Sequence, residues 1–255
     1  MSGDPRKPSK AERDDRRRED ARTKARAMRE QQERAARRRR LGLVTGGVIA
    51  AAAVVTLVVV TVTSGGDDDA PVAVPASATS DGGFVTGDPA APVQVGVYLD
   101  YQCPFCAEFE AANAEYLQQA RESGDVAVTI YPLDILSRLG DYSTRAGSAA
   151  ACVAEEAPDA LVAFNDTLFA EQPAEGEGGL PDDRLVEIAD EVGAGAASGC
   201  ITDGTYREWV TQATAARDER VTGTPTVLVD GTVLEPEQLG QFQQVVDEAV
   251  AAAGA

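Results

Sequence analysis

The residues best able to do chemistry in this chain are Cys103-Pro104-Phe105-Cys106. Two thiols three positions apart on a helix lie about one turn apart, so they can close and reopen a small disulfide ring. The apolar run from Val93 to Leu99 comes just before them and reads as a buried strand. After them, Phe105, Phe109, Ala112 and Tyr116 recur at three- and four-residue steps and read as a helix. The pair therefore sits where a strand turns into a helix. Its first thiol lies at the helix N-terminus, where unpaired N–H groups and the macrodipole favour a thiolate, the reactive form. Pro104 falls in the first turn, where its missing N–H costs nothing. The pattern is that of a redox dithiol.

Composition removes most competing chemistries. The 255 residues contain no histidine, which excludes Ser-His-Asp and Cys-His catalytic pairs. Zinc would be left with thiolate and carboxylate ligands alone, and no metal site is expected. The four cysteines are Cys103, Cys106, Cys152 and Cys200. Charge is split sharply along the chain. Residues 1–40 carry 16 basic and 8 acidic side chains, a net of +8; the rest carries 7 and 34, a net of −27. So acidic a C-terminal part argues against nucleic-acid binding.

The elements that must position the dithiol follow from a pass along the chain. Residues 1–40 are polar, end in Arg37-Arg38-Arg39-Arg40, and read as a basic cytoplasmic tail. The 23 residues from Leu41 to Thr63 carry no charge and are long enough for one membrane-spanning helix. Arginines on one side and Asp67-Asp68-Asp69 on the other orient that span with the N-terminus inside and the C-terminus outside. A cleaved signal peptide competes with this reading, but the charged segment ahead of the span is long for one. Residues 64–83, rich in Gly, Asp, Pro, Ala and Ser, read as a flexible linker.

Past the dithiol helix, Val126 to Tyr131 reads as a strand ended by Pro132. A helical block follows, placed at about 140–203. Ser143 or Thr144 is expected to cap its first helix, which runs through Cys152. Leu161/Phe164/Leu168, Leu185/Ile188/Val192 and Tyr206/Trp209/Val210 mark further helices. Two short β-rich runs flank Asp230-Gly231, a strong hairpin signal, and a closing helix is expected from about Pro236 to Ala252.

From about Phe84 to the end, this order of elements resembles the DsbA-like branch of the thioredoxin superfamily, in particular its membrane-anchored actinobacterial forms. The residues that carry the resemblance are Asp100-Tyr101-Gln102-Cys103-Pro104-Phe105-Cys106, the helical insertion, and Gly223-Thr224-Pro225-Thr226 ahead of the hairpin. It implies an α/β thioredoxin fold with a helical insertion over residues 84–255, preceded by the single transmembrane helix. It also implies a cis Thr224–Pro225 bond packed beside the dithiol. Cys103 would be the exposed nucleophile and Cys106 the buried resolving thiol. Pro104 and Phe105 would tune thiolate stability, and Thr224 and Pro225 would hold the substrate chain. Many relatives carry a buried acid six residues before the first cysteine, where this chain has Val97. Asp100 and Glu110 are the nearby carboxylates that would substitute as a proton relay; both also fit as surface acids of an acidic domain.

Cys152 and Cys200 are the remaining thiols. Outside the cell such a pair joins, so a structural disulfide is expected, with a second redox relay as the alternative. The function implied is a membrane-anchored, extracytoplasmic thiol:disulfide oxidoreductase that introduces disulfides into exported proteins. No bound cofactor is implied. Its partners would be unfolded or cysteine-containing exported chains and a quinone-linked membrane thiol oxidoreductase that recycles it. The alternatives are a reductase or isomerase, a non-enzymatic thioredoxin-fold binding module, and a metallochaperone. The last lacks a third ligand of the usual kind, since both methionines, Met1 and Met28, lie in the tail.

Overall fold

The structure is a computed structural model that describes residues 71–254. The basic tail and the membrane span expected at 41–63 lie outside the described residues, as does the linker up to residue 70. Among the described residues no helix is long and apolar enough to cross a membrane.

A five-stranded sheet carries the domain: β1 (Phe84–Thr86), β2 (Val93–Leu99), β3 (Val126–Pro132), β4 (Thr226–Val229) and β5 (Thr232–Val233), in the order β1-β3-β2-β4-β5. The central β2 pairs parallel with β3, Val95 opposite Val128, and antiparallel with β4, Val97 opposite Val227. The parallel pair needs a crossover, and α1 (Pro104–Glu122) supplies it. Alternate residues of β2 and β3, among them Val95, Val97, Leu99, Val128 and Ile130, enter the main core. The other face holds a smaller cluster of Tyr98, Leu133, Val221 and Leu228, with Tyr98 stacked on Tyr131 at 4.1 Å between ring centroids. β4 and β5 join through Asp230 and Gly231, whose φ angles of 47° and 76° are those of a tight hairpin turn.

Five helices lie between β3 and β4: α2 (Tyr142–Glu156), α3 (Leu161–Ala170), α4 (Asp182–Glu191), α5 (Ser198–Asp203) and α6 (Arg207–Ala216). Helix α6 lies past the expected end of the insertion at 203, where Tyr206, Trp209 and Val210 had marked a helix. The insertion has its own interior of Val153, Phe164, Leu168, Leu185 and Ile188, continuous with the core over the sheet. A disulfide joins Cys152 on α2 to Cys200 on α5, with the Cα atoms 5.7 Å apart.

Four expectations change. The expected cap of α2 is absent: Ser143 donates instead to Asp100 Oδ1 at 2.6 Å and Thr144 to Asp134 Oδ2 at 2.9 Å, so both hydroxyls serve tertiary contacts. The closing helix is broken into α7 (Pro236–Leu239) and α8 (Phe242–Ala253). A capping box between Glu235 and Gln238 winds the first turn, which ends at Gly240. The buried face of α1 is Cys106, Phe109, Glu110, Asn113 and Leu117, one position round from the stripe read from the sequence, and Phe105 and Ala112 are exposed. Finally, the segment before β1, expected as the end of the linker, packs on the domain. Val72 and Ala78 touch the core and Asp81 accepts a hydrogen bond from Tyr131 Oη at 2.8 Å.

Candidate active site

Strand pairing brings the parts of the site together. Tyr98 of β2 lies opposite Thr226 of β4, so the turn leaving β2 and the segment entering β4 emerge side by side. The first holds Cys103 and the second holds Thr224 and Pro225, whose peptide bond is cis. Cys103 Sγ donates to the Thr224 carbonyl oxygen at 3.2 Å across 121 positions of sequence.

Cys103 is the N-cap of α1, and Pro104 occupies the first turn. No side chain caps this end, and the N–H groups of Phe105 and Cys106 lie toward the thiol, the latter also donating to the Cys103 carbonyl at 3.1 Å. The Cys103 thiol is pulled down to about 6 by a hydrogen bond from the Cys106 thiol, helped by the Thr224 side chain and the N–H groups of Cys106 and Phe105 against the effect of burial. Burial, together with the neighbouring Cys103, pushes the Cys106 thiol far above its ordinary value. The two thiols are thus divided into one that ionises near neutrality and one that stays protonated.

The resemblance implied an exposed Cys103. The structure leaves it only 5% exposed, because the segment before β4 covers the helix N-terminus. The exposed group is its neighbour Phe105, at 67%, an apolar surface beside the sulfur.

Asp100 is not a surface acid. It is fully buried and accepts from the Gln102 and Leu136 N–H groups, both at 2.9 Å, and from the Ser143 hydroxyl. Burial raises its pKa despite these donors. Its bonds fasten the dithiol turn to the segment after β3 and to α2, which makes it a brace of the turn. Glu110 is also buried, one turn along α1 from Cys106, and burial followed by the charge of Asp166 raises it to about 7. Val97 lies across a small cavity from it.

Sequence reasoning missed two groups. The Gln172 amide, just past α3, donates to the carbonyls of Tyr101 at 2.9 Å and Cys103 at 3.0 Å, so the insertion holds the dithiol turn from outside the sheet. Asn165 of α3 accepts from the buried Tyr101 hydroxyl at 3.1 Å, and its amide works against the rise in the Glu110 pKa. Neither carries a motif; a glutamine in a loop and an asparagine in an apolar helix gain meaning only from what the fold puts next to them. Cys152 and Cys200 lie within the insertion, in a bond to each other. Among the described residues no three acidic or cysteine side chains converge as metal ligands.

Comparison with known proteins agrees with this geometry. The family model described as thioredoxin matches residues 79–248. The structures of oxidised DsbA and of reduced DsbG from Mycobacterium tuberculosis are each 32% identical. The first covers 69% of this chain and 97% of its own with a TM-score of 0.54, and the second 70% and 93% with 0.55. MdbA, a thiol-disulfide oxidoreductase from Corynebacterium diphtheriae, shares the fold at 24% identity and a TM-score of 0.58, over 68% of this chain and 92% of its own. Among curated sequences, the serine/threonine-protein kinase PknE of Mycobacterium tuberculosis is 33% identical over 140 residues, 52% of this chain. The chain spans about a quarter of the length of the curated relatives it matches. With a dithiol at a strand-to-helix turn beside the segment entering β4, and with these relatives, the chain belongs to the thioredoxin family, in its DsbA-like branch.

Proposed function

We propose that the chain is a membrane-tethered oxidase that gives its Cys103–Cys106 disulfide to exported proteins outside the cytoplasm. The observation that carries this reading is the contrast between the two thiols: Cys103 ionises at about 6 while Cys106 is held protonated. A thiolate stabilised in the reduced protein lowers the energy of the reduced form, which makes the oxidised form a stronger oxidant. A substrate thiolate attacks Cys103, the Cys103–Cys106 bond breaks, and a mixed disulfide forms. A second substrate thiolate then attacks the substrate sulfur, closes the substrate disulfide and releases reduced Cys103. The exposed Phe105 and the Thr224-Pro225 segment flank the sulfur and offer apolar and backbone contacts that suit unfolded, cysteine-containing chains of varied sequence.

The location rests on the sequence: an uncharged span at 41–63 between arginines and aspartates. The Cys152–Cys200 bond suits an oxidising compartment. Turnover then requires reoxidation, and a quinone-linked thiol oxidoreductase in the same membrane is the partner this reading calls for.

The test is oxidative refolding of a reduced, unfolded substrate under a limiting oxidant. The wild-type chain is expected to speed the recovery of native disulfides, with the Cys103→Ser variant at least tenfold slower. Equal rates for the two would support the non-enzymatic binding module instead.

A further inference from the structure

The groups that pull the Cys103 thiol down are the Cys106 thiol, Thr224 and the N–H groups of Cys106 and Phe105, dipoles without a full charge among them. Hydrogen bonds weaken steeply when bent, so this setting depends on how the backbone aims the sulfur. Cys103 is extended, with φ −81° and ψ 117°. The peptide after it leads into Pro104, which has no N–H, so that plane is fastened only through the Cys103 carbonyl. The carbonyl accepts from the Cys106 and Ala107 N–H groups of α1 at 3.1 and 3.3 Å and, from outside the helix, from Gln172 Nε2 at 3.0 Å. The same nitrogen donates to the Tyr101 carbonyl at 2.9 Å. One amide thus holds the peptide planes on either side of the Gln102–Cys103 pair. Asp100 takes the N–H groups of the same turn, Gln102 through Oδ1 and Cys103 through its carbonyl, both at 2.9 Å.

The turn needs this outside hold. Gln102 is 2% exposed, and neither atom of its side-chain amide has a partner among the described residues. Burying an unpaired amide is unfavourable, so the turn keeps its form against a local cost. Gln172 is itself firmly seated. Its N–H extends α3 by donating to the Phe169 carbonyl at 3.2 Å, and Glu171 beside it is paired through both oxygens with Arg184 of α4. Further on, Arg145 of α2 donates to the Gly178 and Leu180 carbonyls at 3.1 and 2.6 Å and to Asp182 at 2.9 Å. Gly179, at φ 76°, lies against the Tyr142 ring with no room for a Cβ. The segment carrying Gln172 is therefore fastened to the insertion at both ends.

We infer that Gln172 is a positioning residue for thiol exchange: its amide fixes the two peptide planes that aim Cys103 Sγ at the N-terminus of α1 and at Thr224. The inference rests on thiol exchange at Cys103. In the second step of that exchange Cys103 leaves as a thiolate, and a lower leaving-group pKa speeds the departure. Gln172 touches neither sulfur. It acts by keeping the donors in line, so the helical insertion sets the ionisation of a thiol that belongs to the sheet-and-helix core. Without it the Cys103–Pro104 plane is held from α1 alone, the donors fall out of line, and the reduced form loses part of its stabilisation.

The test compares the wild type with Gln172→Leu, which roughly keeps the volume and removes the donor. Thiolate absorbance against pH is expected to give a Cys103 midpoint near pH 6 in the wild type and at least one unit higher in the variant. At pH 8, equilibration with glutathione should then shift about tenfold toward the protein disulfide, the counterpart of one unit in the thiol pKa. The Cys152→Ala/Cys200→Ala variant loosens the insertion without touching Gln172 and should keep the wild-type midpoint. In the wild type, the NMR signal of the Gln172 side-chain amide should move with the Cys103 titration, a readout that needs no variant. A folded Gln172→Leu protein with an unchanged midpoint, or a Gln172 amide signal blind to that titration, would overturn the inference while leaving exchange intact. An equal shift in the double cysteine variant would also overturn it, since general loosening would then suffice. A wild type that forms no mixed disulfide at Cys103 would remove the exchange reading itself.

Discussion

At the scale of residues, one sequence motif places two identical side chains in opposite electrostatic settings. Cys103 sits where N–H groups and a neighbouring thiol can donate to it, and Cys106 sits one turn deeper with little to stabilise charge. The sign of the effect on the reduced protein follows. A depressed thiol pKa favours the folded reduced state at and above the ordinary thiol value near 9, and that advantage fades as pH falls toward 6. Alkylation of the reduced protein by a small reagent, followed by mass mapping, should therefore label Cys103 with a midpoint near pH 6 and spare Cys106. Labelling of both with midpoints near 9 would contradict the division of roles. The sequence showed which cysteines were involved because their spacing and the flanking strand and helix are local signals. It did not show that Asp100 is buried. That depends on donors from Leu136 and Ser143, 36 and 43 positions away, which no local pattern reports.

At the scale of elements, β2 was legible to the residue, because Val93, Val95, Val97 and Leu99 alternate onto the core face of a central strand, with Gln94 exposed on the other. The face of α1 was misread for a related reason. Its buried side includes Glu110 and Asn113, and a hydrophobic pattern passes over polar residues that the fold buries. The same blind spot hid Gln172 and Asn165, which belong to the insertion yet reach the dithiol turn and its surroundings. The insertion is thus part of the site's support, and its own bracing matters. The Cys152–Cys200 bond spans 48 positions, and by loop entropy such a closure stabilises the folded state by roughly 4 kcal/mol. The Cys152→Ala/Cys200→Ala double variant is expected to lose about 2–4 kcal/mol in denaturant unfolding while keeping the Cys103 titration. A loss of thiol exchange in a protein that keeps its stability would instead make this pair a second redox relay.

At the scale of the whole molecule, fold and compartment come from different kinds of signal. The thioredoxin order of strands was read from the family resemblance that Cys103-Pro104-Phe105-Cys106 and Thr224-Pro225 carry together, and the fold does set these two distant segments side by side. The proposed tether is read from charge and hydropathy in residues 1–63. Under the proposed function, the two together make a dithiol held outside the membrane and reoxidised from within it, with the disulfide running from enzyme to substrate. Direction is therefore the central claim, and the reduction potential of the Cys103–Cys106 couple, equilibrated against glutathione, tests it most directly. The account predicts a value at or above about −200 mV, on the side of the strong oxidants; a value below that, toward thioredoxin's at about −270 mV, would contradict it and make the protein a reductase.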